Sequence, residues 1–495
     1  MTKNIFGRSI FGVLAVMSTG IADANQDIVL SPVQTTLFSD PGAQSNAWGD
    51  FNNDGFLDLA VVFRDAPARL YQNRPGVFVD VGAQLGLPTD GGNPRSVAWA
   101  DIDNDGDLDL YIGYADQANR LLRNDIESGQ PGFTDISETS GADTEGMTRQ
   151  VSFVDYDADG DVDLFVAIRN GENRLLKNNN GMFVDVTSET GIGDPRRTVG
   201  ACWFDMDMDG DLDLYTANQN GDSDGVFRND SGVFKDVAAE LNMDQPGRPK
   251  ADGSVGCAIV DFNNDGNLDL YIAQYGEDSL FKNLGEGRFK NVAHEQGLAN
   301  PEHIVTGVWA DVQNDGLPDL FSVGYINGKP ETADYLYVNN GDGFTNRLPD
   351  SLAANGADHG AQWADYDQDG DMDLVVATND PAGSHYLFRN DLPESDAKRS
   401  IQVLVLNETG LYTRAGSEVR IYRHATNELM GTAIVDTGSG YNSQNAKPVH
   451  FGLSESTKID VHVTVLTGTS RKTSTYPDVD WESLDGKPFE VRTTL

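Results

Sequence analysis

Apolar residues in this chain fall in short runs, never in the long three-and-four spacing of an amphipathic helix. Runs such as Leu57-Asp58-Leu59-Ala60-Val61-Val62 and Met372-Asp373-Leu374-Val375-Val376-Ala377 follow a cluster of Asp, Asn and Gly, and they predict buried strands. A further run ends on Asn at Asn73, Asn124, Asn178, Asn229, Asn283, Asn339 and Asn390, and predicts another strand. A shorter one carries Phe-x-Asp, Phe-x-Asn or a close variant, at Phe78, Phe133, Phe183, Phe234, Phe289 and Phe344. Ahead of each polar cluster stands a bulky residue: Trp48, Trp99, Phe153, Trp203, Ile259, Trp309 or Trp363. Repeated placement of this kind predicts core between repeats in preference to a sugar-stacking platform.

The polar clusters begin at Asp50, Asp101, Asp155, Asp205, Asp261, Asp311 and Asp365, in steps of 51, 54, 50, 56, 50 and 54 residues. A period near fifty with four strands per unit predicts an all-β chain: a seven-bladed β-propeller over residues 25–395, then a small β domain over 396–495. The seventh unit lacks its own Phe strand. Leu37-Phe38-Ser39-Asp40, ahead of the first loop, is expected to supply it and so to hide two sheet edges at once.

Within each cluster, positions 1, 3, 5 and 9 carry hard oxygens, position 7 offers a backbone carbonyl, and the glycine at position 6 permits the sharp turn that lets them converge. The second loop has Asp101, Asp103, Asp105, Asp107 and Asp109 around Gly106. The third has Asp155, Asp157, Asp159, Asp161 and Asp163, the fourth Asp205, Asp207, Asp209, Asp211 and Asp213, and the seventh Asp365, Asp367, Asp369, Asp371 and Asp373. The first reads Asp50, Asn52, Asp54, Phe56, Asp58; the fifth Asp261, Asn263, Asp265, Asn267, Asp269; the sixth Asp311, Gln313, Asp315, Leu317, Asp319. These last three carry less charge, and Pro318 stiffens the sixth, so they are expected to be weaker. An oxygen-only, flexible shell suits Ca²⁺, at up to seven sites, better than Mg²⁺ or Zn²⁺. An EF-hand is excluded: position 12 of the second loop is Ile112, and the chain runs on into a strand, not a helix.

Composition sharpens the picture. Formal charge is −43, and 29 of the 78 acidic residues lie in the seven loops, so the fold repels itself there until cations bind. Such a chain is no partner for nucleic acid. Met1 to Ala24 has Lys3 and Arg8, an apolar run over residues 10–17 and Ala22-Asp23-Ala24, the pattern of a cleaved secretory signal. It predicts a secreted, periplasmic or extracellular address, with no segment inserted in the membrane. Cys202 and Cys257 can form one bridge in such a compartment, or stand as two buried thiols. Cations gather just before the first strand of each unit. Arg95, Arg149, Arg197, His303 and His359, with Arg196, Arg248 and Lys250, are expected to ring the channel mouth opposite the acidic loops and to bind an anionic ligand.

The loop pattern Asp-x-Asp-x-Asp-Gly-x-x-Asp with its later Phe motif resembles the FG-GAP or VCBS repeats of integrin α-subunit propellers. That resemblance implies calcium between the first and second strands of each blade. Residues 400–495 lose the loops and gain alternating strands such as Ile401-Gln402-Val403-Leu404-Val405 and Val461-His462-Val463-Thr464-Val465. Gly438-Ser439-Gly440-Tyr441-Asn442-Ser443-Gln444-Asn445, followed by Val449-His450-Phe451-Gly452-Leu453, is similar to the ASPIC/UnbV domain that follows such repeats in the cartilage acidic protein family. Val465-Leu466-Thr467-Gly468 stands where that domain usually has Trp-Pro-x-Gly. The chain has no Gly-x-Ser-x-Gly elbow, zinc-spaced His pair or nucleotide loop, so no catalytic residue is assigned. The expected function is a calcium-loaded binding or adhesion scaffold for an extracellular or cell-surface protein or an acidic glycan. A polysaccharide lyase or hydrolase on the same scaffold is the alternative.

Overall fold

A computed structural model of the chain describes residues 28–126, 132–326, 332–353, 358–410, 414–438, 440–442, 444–445 and 448–494. The leader, Ser439 and Ser443 lie outside them.

Seven four-stranded antiparallel sheets follow one another along the chain. Their first strands are Ala43–Gly49, Pro94–Ala100, Thr148–Val154, Thr198–Phe204, Gly253–Val260, Ile304–Ala310 and Asp358–Ala364. Each packs on the next, and Ala43–Gly49 also packs on Asp358–Ala364, so the ring closes as a β-propeller. Each acidic loop joins a first strand to a second. The bulky residue before the loop goes where the repeat pattern requires, into the seam between blades: the Trp48 ring stacks on Tyr366 of the seventh blade at 6.3 Å, and Trp99 on Phe51 of the first at 6.4 Å.

The repeated Asn has a clear physical reason. Asn124 donates its backbone N–H to Asp109 Oδ1 at 2.7 Å and its side-chain amide to the Phe51 carbonyl of the preceding blade at 2.8 Å. The same pair of bonds recurs in every repeat, and Asn73 closes the circle on the Tyr366 carbonyl at 2.7 Å. Each neutral bond of this kind contributes about 1 kcal/mol, and the seven together tie each loop to its neighbour.

The closing strand is not the expected one. Leu30–Pro32 pairs antiparallel with Leu387–Asn390 and completes the seventh sheet, whereas residues 37–40 end a turn and belong to no strand. Leu30 sits opposite Asn390 as Phe78 sits opposite Asn73 and Phe133 opposite Asn124. That edge position needs a buried apolar side chain, and leucine meets the need as well as phenylalanine. Phe38 instead enters the core between the seventh and first blades, against Tyr71, Phe78 and Tyr386.

After a short helix, Glu394–Ala397, the C-terminal domain packs a three-stranded sheet against a four-stranded one. Alternating Ile401, Val403 and Val405 face Val419, Ile421, Val461 and Val463 in a shared core. The domain sits on the loop face of the propeller. Arg471 Nη1 meets Asp205 Oδ2 at 2.8 Å, Gln402 Nε2 donates to Asp365 Oδ2 at 2.7 Å, and Arg420 donates to the Gly266 carbonyl at 2.7 Å. His450 reaches the Gly370 carbonyl at 3.3 Å, a structural contact.

From this domain the motif segment enters the axial channel. Thr437 donates to the Trp203 carbonyl, Gly440 to Cys257, Tyr441 N–H to Thr306 Oγ1, and Gln444 exchanges bonds with the Trp99 backbone. Ser45 and Gln150 donate to the Asn442 and Gly438 carbonyls, and the Tyr441 ring lies 6.3 Å from that of His359. One segment therefore touches the first strand of all seven blades and plugs the channel.

Candidate functional site

Each acidic loop is preorganised by its own backbone. In the second loop the N–H groups of Asp105 and Gly106 donate to the two oxygens of Asp101, both at 3.1 Å, and Asp105 Oδ1 accepts from the Asp107 N–H at 3.0 Å. Two left-handed residues make the turn possible, Asn104 at φ 57° and Gly106 at φ 98°. In five of the seven loops the position-4 side chain then reaches the next loop: Asn53 to Gly106, Asn104 to Asp161, Asn264 to Gly316, Asn314 to Gly370, and Gln368 back to Gly55, while the third and fourth loops carry Ala158 and Met208 there.

The carboxylates converge in four loops. Ligand oxygens of Asp101, Asp103 and Asp109 lie within 4.8 Å of one another, as do those of Asp155, Asp157 and Asp163, of Asp205, Asp207 and Asp213, and of Asp365, Asp367 and Asp373. In these loops position 5 caps the position-7 N–H, and several position-7 side chains turn outward, Asp107 to Asn53 and Asp161 to Asn104. The first, fifth and sixth loops have Asn52, Asn263 and Gln313 at position 3, with Asp50, Asp261 and Asp311 accepting the same backbone bonds from the N–H groups of Asp54, Asp265 and Asp315.

Whether a cation fits can be judged from what the loops lack. Oδ1 of Asp103, Asp157, Asp207 and Asp367 is buried without a hydrogen-bond donor. Burial first, and neighbouring carboxylates after it, push Asp101 and Asp155 up to about 7, Asp109 to about 8 and Asp163 to about 9. In the third loop the Lys177 ammonium sits beside Asp157 and 2.9 Å from Asp159, a positive charge drawn to the position-3 oxygens. Orphaned hard oxygens that resist carrying charge unaided are what a bound Ca²⁺ would satisfy.

On the opposite face the channel opens in a cavity of about 380 Å³ floored by Tyr441. Two positions per repeat build its wall. Every first strand carries a β-bulge whose extra residue lies six places before the first loop Asp: Gln44, Arg95, Arg149, Val199, Val255, Val305 and His359. Such a bulge re-aims its side chain, and Arg95, Arg149, Val305 and His359 line the cavity. The second position lies fourteen places after that Asp, at the end of the second strand, and contributes Arg64, Arg169, Gln219, Tyr275 and Tyr325.

The FG-GAP-like repeat family model matches residues 50–112, 105–166, 155–216, 205–272, 261–322 and 311–376, well over half of the chain. The chain belongs to the FG-GAP-like repeat family. A second model, ASPIC and UnbV, matches residues 412–476 of this FG-GAP-like protein. Among curated relatives, cartilage acidic protein 1 of Mus musculus is 26% identical over 245 residues, and that of Homo sapiens 27% over 244. The match covers 47% of this chain and only 36% and 35% of those relatives. Among solved structures, BBS1N in complex with ARL6DN aligns at 12% identity with a TM-score of 0.46, over 74% of this chain and 98% of that one, a likeness too loose to bear on function.

The cation ring expected from the sequence of this FG-GAP-like protein needs correcting. Arg95, Arg149 and His359 reach the cavity; Arg197 and His303 do not line it. Both lie eight places before their loops, two short of the bulge. Arg197 pairs with Asp222 at 2.9 Å, and His303 stacks on Tyr275 at 4.6 Å. Arg196 pairs with Asp194 and Asp236, and Arg248 with Asp224. Burial, with Arg95, Arg64 and Arg149 around it, holds the pKa of His359 well below the usual value. Sequence reasoning missed Arg64, Arg169 and Tyr441.

Cys202 and Cys257 are bonded, with Cα atoms 6.1 Å apart, across the first strands of the fourth and fifth blades.

Proposed function

We propose that this FG-GAP-like repeat protein is exported and acts outside the cell as a calcium-loaded binding or adhesion scaffold, whose ligand is an extracellular or cell-surface protein or an acidic glycan. The observation that carries the reading is the set of four converging carboxylate clusters, each with a buried oxygen lacking a donor. When bound, Ca²⁺ supplies the positive charge those oxygens lack. The protein's own part is to hold the loops open for it: backbone N–H groups fix the first Asp, the Asn at the end of the third strand fixes the ninth, and position-4 side chains tie loop to loop. The Cys202–Cys257 bond supports an oxidising compartment. No helix among the described residues is long and apolar enough to cross a membrane.

A glycan and protein array probed in Ca²⁺ and again in EGTA tests the reading. Binding in Ca²⁺ that is lost in EGTA is expected. Binding that ignores EGTA would contradict a calcium-dependent scaffold.

A further inference from the structure

Among the described residues, four arginines at the channel mouth find no carboxylate. Arg64 and Arg95 share the side-chain oxygen of Gln44, at 3.2 and 2.7 Å; among the described residues Arg149 has only Met147 Sδ at 3.6 Å, and Arg169 only Asn220 at 3.3 Å. The Nε atoms of Arg64, Arg95 and Arg149 are buried without an acceptor, although Arg149 is only 8% exposed. In a chain of net charge −43, Arg196, Arg197 and Arg248 close by all have an aspartate. No carboxylate is among the described residues lining the cavity. Guanidiniums held together without counter-charge repel one another, and an anion between them relieves the repulsion while offering the paired acceptors their forks require.

Shape and lining narrow the class of anion. The motif segment closes the channel below, so the cavity is a blind cup that admits the end of a chain and lets none pass through. Tyr275, one ring face of which is taken by His303, and Tyr325, packed against His359, bring aromatic surface to its wall that suits the apolar side of a sugar ring, and Asn93 and Gln219 offer groups that suit hydroxyls. An acidic peptide side chain would use the arginines and leave those faces idle.

The geometry points to the channel mouth as a binding site for the terminal acidic sugar of a glycan, its carboxylate or sulfate held by Arg64, Arg95, Arg149 and Arg169 above the Tyr441 floor. This deepens the scaffold reading and rests on it. In a chain of net charge −43 the cup is a positive focus for an anion, so affinity should fall steeply with salt.

The test is calorimetric titration of the full chain in Ca²⁺ with a trigalacturonate, a sulfated heparin disaccharide, a neutral maltotriose, sodium sulfate and a short polyglutamate. The expected result is binding of the uronate or the sulfated sugar, weakened by salt, with maltotriose inert; which of the two binds tells carboxylate from sulfate. Arg64→Gln with Arg169→Gln, both at partly exposed positions, should weaken that binding at least tenfold while the melting temperature in Ca²⁺ stays at the unmodified value. If that pair fails to fold, Arg95→Lys, which keeps the charge and loses the fork, should weaken it too. Failure of both acidic sugars to bind, equal binding of sulfate alone, or preference for polyglutamate would overturn the proposal. Calcium-dependent sugar binding that ignores these substitutions would overturn the cup and leave the scaffold reading standing.

Discussion

Arg471 of the C-terminal domain and Asp205 of the fourth acidic loop form a 2.8 Å ion pair, with the Asp205 side chain only 4% exposed. The same guanidinium also holds Glu418 at 2.9 Å, so one arginine joins the domain's sheet to the propeller. Removing it strips the buried Asp205 of its cation and leaves Glu418 with Arg420 alone. Arg471→Met should lower stability to chemical denaturation by roughly 2–4 kcal/mol, measured in EGTA so that metal does not compensate. An unchanged midpoint would show that the domain docks without this pair.

Closure of the ring depends on Leu30–Pro32, whose removal leaves Leu387–Asn390 as an exposed edge. A chain starting at Val33 should aggregate, seen as light scattering at concentrations where the full chain stays clear. Phe38→Ala should only destabilise, by about 3–5 kcal/mol, because it opens a cavity without exposing an edge. A clear solution of the truncated chain would refute this closure.

The Cys202–Cys257 bond closes a loop of 55 residues between neighbouring blades. Constraining a loop of that size in the unfolded chain contributes about 4 kcal/mol, and Cys202→Ala with Cys257→Ala should forfeit most of it. Thiol labelling of denatured, unreduced protein should find no free cysteine; two labelled thiols would contradict the bond.

A pH effect arises away from the loops. Asp334 and Asp358 face each other fully buried between the sixth and seventh blades, where the second and third blades pair an Asn with a Thr, Asn119 with Thr148 and Asn173 with Thr198. Burial first, and the second carboxyl after it, raise Asp334 well above the usual range, and burial lifts Asp358 to about 6. Folded pKa values above the unfolded one mean that the stability contribution is complete below about pH 4 and is lost as pH rises through about 6 and beyond. Asp358→Thr should give Asp334 a hydroxyl partner, as Ser254 is to Asp224 between the fourth and fifth blades, gain on the order of 1–3 kcal/mol at pH 8 and flatten the slope. A variant less stable than the parent at pH 8 would contradict this reading of the two buried carboxyls.

Much of this was legible because the repeat is. Seven Asp loops, seven strand-ending Asn residues and six Phe positions, in steps near fifty, predict the sheets and the loop chemistry directly. What stayed hidden had no repeated letter. The edge position opposite Asn390 is filled by Leu30, and a search for Phe passes over it. The cup's second ring reads Arg64, Ala115, Arg169, Gln219, Tyr275, Tyr325 and Asn379, a column set by position and not by residue type. The bulge that separates Arg149 from Arg197 in orientation is a matter of backbone register. The channel plug joins segments hundreds of residues apart, which no local pattern records.

Folding and calcium binding should be coupled, because carboxylates that stay protonated or repel in the free loops become partners once a cation joins them. Thermal melting of the full chain in EGTA and in millimolar Ca²⁺ decides the matter, with Asp101→Asn plus Asp103→Asn as the internal check. A rise in melting temperature on the order of 5–10 °C in Ca²⁺ is predicted, reduced in the double variant, with little response to Mg²⁺. Superimposable melts with and without Ca²⁺ would contradict the reading of these loops as calcium sites.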